Sequence, residues 1–312
     1  MEVRMLKMYE ANGMKIAFLT DSSSDIPVDL AEKYGIQVVG FPINLEGKEY
    51  LERRDMTNEE FYEMMRAAKG VPTTAAITQI QWAEIYQEYV EAGVTDLVHV
   101  TINSGGSSTY NNACKAIEML REECPGHTMK IHLIDSHTYS MSFGWYLCEC
   151  ARKVQEGAPL ESCLREMQDK LTRVEVCLSA YSLKQMKKSG RISAAAAVVG
   201  DLMGIRPIIS LNDGISKVES KVRGDANVPP AMVKWVCSRV DNVKEMPYMI
   251  AYTSSTGKRD ELVKLCRKSF GHAPLCVFSL GGVISANTWP DGIAIVFEGK
   301  PRRLADYAVP LP

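Results

Sequence analysis

The sequence predicts an α/β protein of two domains, the first with a mainly parallel sheet and the second a mixed α+β arrangement. Three observations predict it. Short apolar runs rich in β-formers alternate with amphipathic helical stretches as far as Arg173, which implies parallel strands joined by right-handed crossovers. From about Glu175 the rhythm breaks into short strand-like pieces interrupted by two helices. The 312 residues suffice for two domains of ordinary size.

The elements follow in order. Residues 1–13 (MEVRMLKMYEANG) lack the apolar core of a signal peptide and read as an N-terminal extension. Lys15–Thr20 (KIAFLT) is a buried strand, followed by the polar turn Asp21–Asp25 and a helix over Val28–Tyr34 that Gly35 closes. Ile36–Val39 is the next strand. Asn58–Ala68 is helical with Asn58 as its cap, and Thr78–Ala92 is an amphipathic helix. Asp96–Ile102 and Lys130–Asp135 are strands, and Ser108–Glu123, Ser142–Glu156 and Leu160–Arg173 are helices. In the second half, strands are expected at Ile205–Leu211, Ile215–Val222, Tyr248–Tyr252, Leu275–Val277 and Ile293–Phe297, with helices at Pro229–Val240 and Lys258–Phe270. Asp213-Gly214 between two strand-like runs is a hairpin signal.

Composition narrows the function. Hydrophobic residues at 46% and charged residues at 24% are usual for a globular protein with apolar side chains to spare for a ligand cavity. A formal net charge of -2 argues against a dominant nucleic-acid surface. No apolar run reaches the roughly 20 residues of a transmembrane helix, which leaves only transient contact with a membrane. The nine cysteines have no zinc-site spacing and read as the reduced, mostly buried thiols of a cytoplasmic protein, so no metal is expected.

Polar loops are the candidate site. In open parallel sheets, ligands bind at the carboxyl ends of the strands. Asp21–Asp25, Asn103–Thr109 and Asp135–Ser142 lie at such ends, and Pro72–Ala76 precedes a helix. Hydroxyls and backbone N–H groups at helix starts suit an anion, although ordinary capping also explains each loop taken alone. The loop at Ser104–Thr109 lacks the Gly-Lys-Ser/Thr ending of a P-loop, and no Gly-x-Ser-x-Gly elbow is present. His99 and His132 fall inside strands and read as core histidines. His137 follows a strand end and is the better candidate for a base, while His127 and His272 read as loop residues.

Taken together, the segments TDSSSDIP (20–27), VPTTAAIT (71–78), INSGGSSTY (102–110), LIDSHTYSMSFG (133–144), LKQMKKSGRIS (183–193), GIRPII (204–209), KVRG (221–224) and GIAIVF (292–297) resemble the DegV family of fatty-acid-binding proteins over nearly the whole chain. The resemblance implies an N-terminal α/β/α sandwich over residues 14–174 and an α+β domain with a mixed or antiparallel sheet over 175–312. It implies a long-chain fatty acid as the ligand, no cofactor, no catalysis by this chain, and presentation of the carboxylate to a separate fatty acid kinase. Carried over residue by residue, Thr74 matches the threonine that bonds the carboxylate, and Ser104 the second serine of a paired-serine turn whose first member is Asn103 here. Asn287 stands where the family often has a carboxylate-binding histidine, so a donor remains without its positive charge. Arg191 and Arg223 match arginines implicated in engaging the kinase, although a structural ion pair explains either equally well. Two other readings stay open: an enzyme acting on a small phosphorylated or hydroxylated substrate with His137 or Asp21 as its base, and an interaction protein whose pocket is filled by its own side chains.

Overall fold

Met14–Asp21 forms strand β2 because its apolar residues run without alternation, the pattern of a strand covered on both faces. The structure is a computed structural model and describes residues 7–11, 13–181, 204–288 and 291–303. The described residues form two compact units. The first takes the chain up to Phe41 and Ala75–Leu171, and the second takes Pro42–Thr74 and Thr172–Arg303.

In the first unit, β2 pairs in parallel with β3 (Ile36–Val39) and β7 (Asp96–Thr101), and β7 pairs in parallel with β8 (Lys130–Asp135). The one antiparallel partner is β1 (Tyr9–Ala11), beside the start of β2. The helices are α1 (Val28–Lys33), α3 (Gln79–Glu91), α4 (Thr109–Glu123), α5 (Met141–Gln155) and α6 (Leu160–Leu171). Thr78 caps α3 through a capping box with Gln81. Gly144 in α5 is dictated by packing, because a Cβ there would lie 2.4 Å from the backbone oxygen of Ser24.

In the second unit, a six-stranded sheet runs in the order β11 (Ile215–Arg223), β10 (Ile205–Asn212), β9 (Val174–Ala180), β14 (Gly292–Glu298), β12 (Tyr248–Tyr252), β13 (Val277–Ser279). All its pairs are antiparallel except β12 with β13, so the sheet is mixed. Helices α7 (Val228–Cys237) and α8 (Thr256–Phe270) bury Met232, Val236, Leu262 and Phe270 with Tyr248, Ile295 and Phe297 of the strands. Each such side chain contributes about 1.5–3 kcal/mol on leaving water. Asp213 and Gly214 both take positive φ, 48° and 76°, which gives the expected tight hairpin between β10 and β11.

Several expectations are corrected. The segment Pro42–Thr74 belongs with the second unit rather than within a 14–174 domain. It folds as a small antiparallel sheet, β5 (Lys48–Leu51), β4 (Pro42–Leu45), β6 (Thr73–Thr74), followed in the chain after β5 by helix α2 (Asn58–Ala67). Its ties run to the far end of the chain: Tyr62 Oη donates to the Leu280 carbonyl, Asn58 Nδ2 donates to Ser279 Oγ at 2.9 Å, and Glu52 Oε1 accepts from Val283 N at 2.9 Å. The cap of α2 is Thr57 rather than Asn58, because Thr57 and Glu60 satisfy each other's backbone donors in a capping box. Strand β9 and a short helix α9 (Gly282–Thr288) were not expected, and the strand expected at Leu275–Val277 begins two residues later. No helix among the described residues is long and apolar enough to cross a membrane.

Candidate functional site

The carboxyl ends of β2, β7 and β8 bring the three polar loops of the first unit together, and the carboxylates of buried Asp21 and of half-buried Asp25 and Asp135 organise them. Asp21 Oδ1 accepts from the amide of Ser23 at 3.1 Å and from its hydroxyl, and Oδ2 accepts from Ile102 N at 2.9 Å. Asp135 Oδ1 accepts from Ser104 N at 3.1 Å and from His137 N at 3.0 Å. Ser140 Oγ donates to Asp25, and Ser140 N donates to the Ser23 carbonyl at 2.9 Å. These carboxylates are spent on loop architecture, because a buried acceptor left unpaired is costly.

That accounting decides several candidates. Asp21 is buried with both oxygens engaged, so it presents no basic oxygen to a substrate. His137 adopts a left-handed φ of 54° and lies 3.6 Å from Asp135, the geometry of a turn residue. His99 is buried, with Nδ1 2.7 Å from Tyr86 Oη. Burial depresses its pKa from 6.5 to about 3, which keeps the ring neutral. His132 Nε2 pairs with Asp96 Oδ1 at 3.0 Å.

Asn103 is buried and its amide is used at both ends: Nδ2 donates to Tyr139 Oη at 2.8 Å and Oδ1 accepts from Gly105 N at 3.1 Å. Its backbone N–H adds a bond to the Thr138 carbonyl at 3.1 Å. Asn103 therefore joins the second loop to the third. Tyr139 is a site residue that sequence reasoning missed. Its hydroxyl also explains Gly106, where a Cβ would lie 2.4 Å from that oxygen. The outcome for Ser104 is different. Its amide is held by Asp135, its side chain is half-buried, and its hydroxyl has no partner among the described residues.

In the second unit, Thr74 ends β6 opposite Ile43 of β4, half-buried, and its hydroxyl likewise has no partner among the described residues. Helix α9 packs beside β6. The start of α9 is held by the buried carboxylate of Glu52, a second residue no local pattern announced. Asn287 lies on α9 half-buried, and its Nδ2 donates to the Val283 carbonyl one turn back at 2.8 Å, so part of its amide serves the helix. Arg223 is exposed at the end of β11, where its carbonyl accepts from Asn227 Nδ2 at 2.7 Å. Arg191 lies outside the described residues. Among the described residues, no group of three His, Cys, Asp or Glu side chains could hold a metal ion.

A DegV domain-containing protein of Caldanaerobacter subterraneus is 28% identical over 290 residues, 92% of this chain and 99% of that one. One from Clostridium perfringens is 32% identical over 210 residues, 67% of this chain and 73% of its own. A fatty-acid-binding DegV family protein from Thermus thermophilus is 25% identical, with a TM-score of 0.78 over 92% of this chain and all (100%) of its own. A stearic-acid-binding protein from Eubacterium ventriosum shares the fold, with a TM-score of 0.82 at 21% identity over 93% of this chain and 100% of its own. The sequence profile of the uncharacterised protein family DegV matches residues 15–300, and the chain belongs to that family.

Proposed function

We propose that this protein binds a long-chain fatty acid, burying the acyl chain among apolar side chains and receiving the carboxylate on the hydroxyls of Thr74 and Ser104. Each methylene that leaves water contributes about 0.8 kcal/mol, so the chain supplies affinity. The carboxylate must then be hydrogen-bonded, because a buried unpaired charge is costly. One observation carries the choice of donors. In the loop where Asp135 and the Asn103 amide are consumed by the fold, Ser104 Oγ is a half-buried hydroxyl with no described protein partner, and in the second unit so is Thr74 Oγ1 at the end of β6. The fatty acid bound by the Thermus thermophilus relative supports the ligand class. Asn103 serves by fixing the loop around Ser104, and Asn287 joins as a donor where its amide turns from Val283.

On this reading the protein is a cytoplasmic, non-catalytic carrier without a cofactor. A separate kinase brings ATP, the bound carboxylate oxygen attacks its terminal phosphorus, and acyl phosphate and ADP result. Arg223 and Arg191 are the contacts offered to that kinase, since a guanidinium fork matches phosphate or carboxylate.

Thr74→Val keeps the shape of the side chain and removes the donor. A hydrogen bond to a charged group is worth about 1.5–3 kcal/mol, so the Kd for a long-chain fatty acid should rise about 10- to 100-fold. Thr256→Ala, at an exposed position, should leave it unchanged. Equal affinities for the two variants would remove Thr74 from the site. Arg223→Ala should retain the wild-type Kd for fatty acid while slowing acyl phosphate formation by a fatty acid kinase. Unchanged turnover would return Arg223 to an ordinary surface role.

A further inference from the structure

The loop that presents Ser104 continues into two adjacent glycines, Gly105 and Gly106, whose backbone has the most conformational freedom to lose. Its shape therefore rests on hydrogen bonds, and many of these converge on Asn103. The Asn103 carbonyl accepts from Gly106 N at 3.1 Å and from Ser107 N at 3.2 Å, and Oδ1 accepts from Gly105 N at 3.1 Å. A backbone N–H only donates, so the bond from Gly105 fixes which end of the amide is oxygen. Nδ2 then faces Tyr139 and donates to its Oη at 2.8 Å. Asn103 is 3% exposed, so little water reaches it to replace that acceptor. Tyr139 also lies against the turn itself: a Cβ on Gly106 would come within 2.4 Å of Oη and 3.1 Å of the ring carbons Cε1 and Cζ. The third loop is tied down on either side of this tyrosine. The Thr138 carbonyl accepts from Asn103 N at 3.1 Å, and Ser140 N donates to the Ser23 carbonyl at 2.9 Å. The phenol is thus a fixed post against which the Ser104 loop is set.

We propose that Tyr139 is a positioning residue for head-group recognition: its hydroxyl, acting through Asn103, sets the place of Ser104 Oγ and with it the preference for a carboxylate over an uncharged head group. This role rests on the reading of Ser104 as a donor to the carboxylate. A hydrogen bond to a charged acceptor is worth about twice a neutral one, and it weakens steeply when donor and acceptor are misaligned. Displacing Ser104 therefore costs a fatty acid more than the alcohol of the same chain length, which shares the apolar burial but not the charge. In Tyr139→Phe the ring still covers Gly106, while Asn103 Nδ2 loses its acceptor. The amide turns to find another partner and releases Gly105 N, and the serine between Asn103 and Gly105 loses its fixed position.

Competition against a fluorescent fatty acid on the delipidated, full-length protein, with hexadecanoic acid and hexadecanol as competitors, tests this. In Tyr139→Phe the Kd of the acid should rise about fivefold and that of the alcohol less than about twofold. Gly106→Ala, which pushes the phenol away from the other side of the same contact, should reproduce that shift with Tyr139 intact. Ser104→Ala should lose the preference for the acid by itself, and adding Tyr139→Phe to it should change the preference no further, the non-additivity expected when one residue acts through another. Equal weakening of acid and alcohol in Tyr139→Phe would assign the tyrosine to general stability and overturn the proposal. A full shift of preference in the Ser104→Ala background would overturn it as well, by showing that Tyr139 acts through another group. If Ser104→Ala weakens the acid while Tyr139→Phe keeps the wild-type Kd, the positioning role alone fails. If Ser104→Ala keeps the wild-type preference, the reading of Ser104 as a carboxylate donor fails, and the role of Tyr139 falls with it.

Discussion

Lowering the pH from 7 to 5 is expected to destabilise the first unit by about 2 kcal/mol through His99 alone. The ring is 0% exposed, packed at a centroid distance of 4.4 Å against Trp82, and bonded through Nδ1 to Tyr86. Burial also raises the Tyr86 pKa well above its usual 10, so its hydroxyl stays protonated and brings no negative charge to Nδ1. A proton on His99 would place a charge in this apolar wall, which is why its pKa falls from 6.5 to about 3. The unfolded chain binds that proton near pH 6.5 and the folded one near 3. The contribution is therefore complete above the unfolded value and is lost as the pH falls between the two. The slope is about 1.4 kcal/mol per pH unit. Urea unfolding of the wild type and of His99→Gln at both pH values measures it. The variant should be less stable at pH 7 and should lose less on acidification. Identical losses would show that His99 is not held neutral by the fold.

Arg239→Ala is expected to destabilise the second unit by about 2–3 kcal/mol. Glu175 on β9 is 0% exposed, and its carboxylate accepts from Arg239 Nε at 2.9 Å and Nη2 at 3.1 Å. Removing the guanidinium leaves a carboxylate in the sheet with Asn212 as a remaining donor at 3.4 Å. Breaking a fully buried pair costs about 3–5 kcal/mol. The lower figure applies because the Arg239 side chain is 42% exposed and water can partly replace it. Glu175→Gln in the same background should recover much of the loss by neutralising the stranded charge. A double variant no more stable than Arg239→Ala would show that the loss comes from the contact of the Arg239 guanidinium with the Trp235 ring.

How much was legible depends on where each element finds its partners. Lys130–Asp135, Ile36–Val39 and Tyr248–Tyr252 form strands with the bounds read from sequence, and the Asp213-Gly214 hairpin is present, because apolar runs and turn residues act locally. Strand β9 was hidden: VEVCLSA is buried at every position, so it shows no alternation, and it follows a helix without a break signal. The small sheet of residues 42–74 has strands of two to four residues, too short for periodicity, although positive φ at Glu46 and Gly47 marks a hairpin in hindsight. Helix α9 contains Gly, Val, Ile and Thr and is held at its start by Glu52, more than two hundred residues earlier, which no window of sequence reveals.

The site divided in the same way. The hydroxyl-rich loops were visible, and Thr74 and Ser104 were reached through family resemblance. Which polar groups the fold consumes depended on contacts distant in sequence. Asn103 looked like a donor to a ligand until Tyr139 and Gly105 took both ends of its amide. Asp21 looked like a base until Ile102 N and Ser23 occupied its oxygens.

Native mass spectrometry of the protein as purified, followed by release under denaturing conditions, addresses the central claim most directly. The account predicts a single long-chain fatty acid per chain, retained in the native ion and recovered as the free acid on denaturation. Bare protein after gentle purification, combined with no rise in melting temperature when long-chain fatty acid is added, would contradict it.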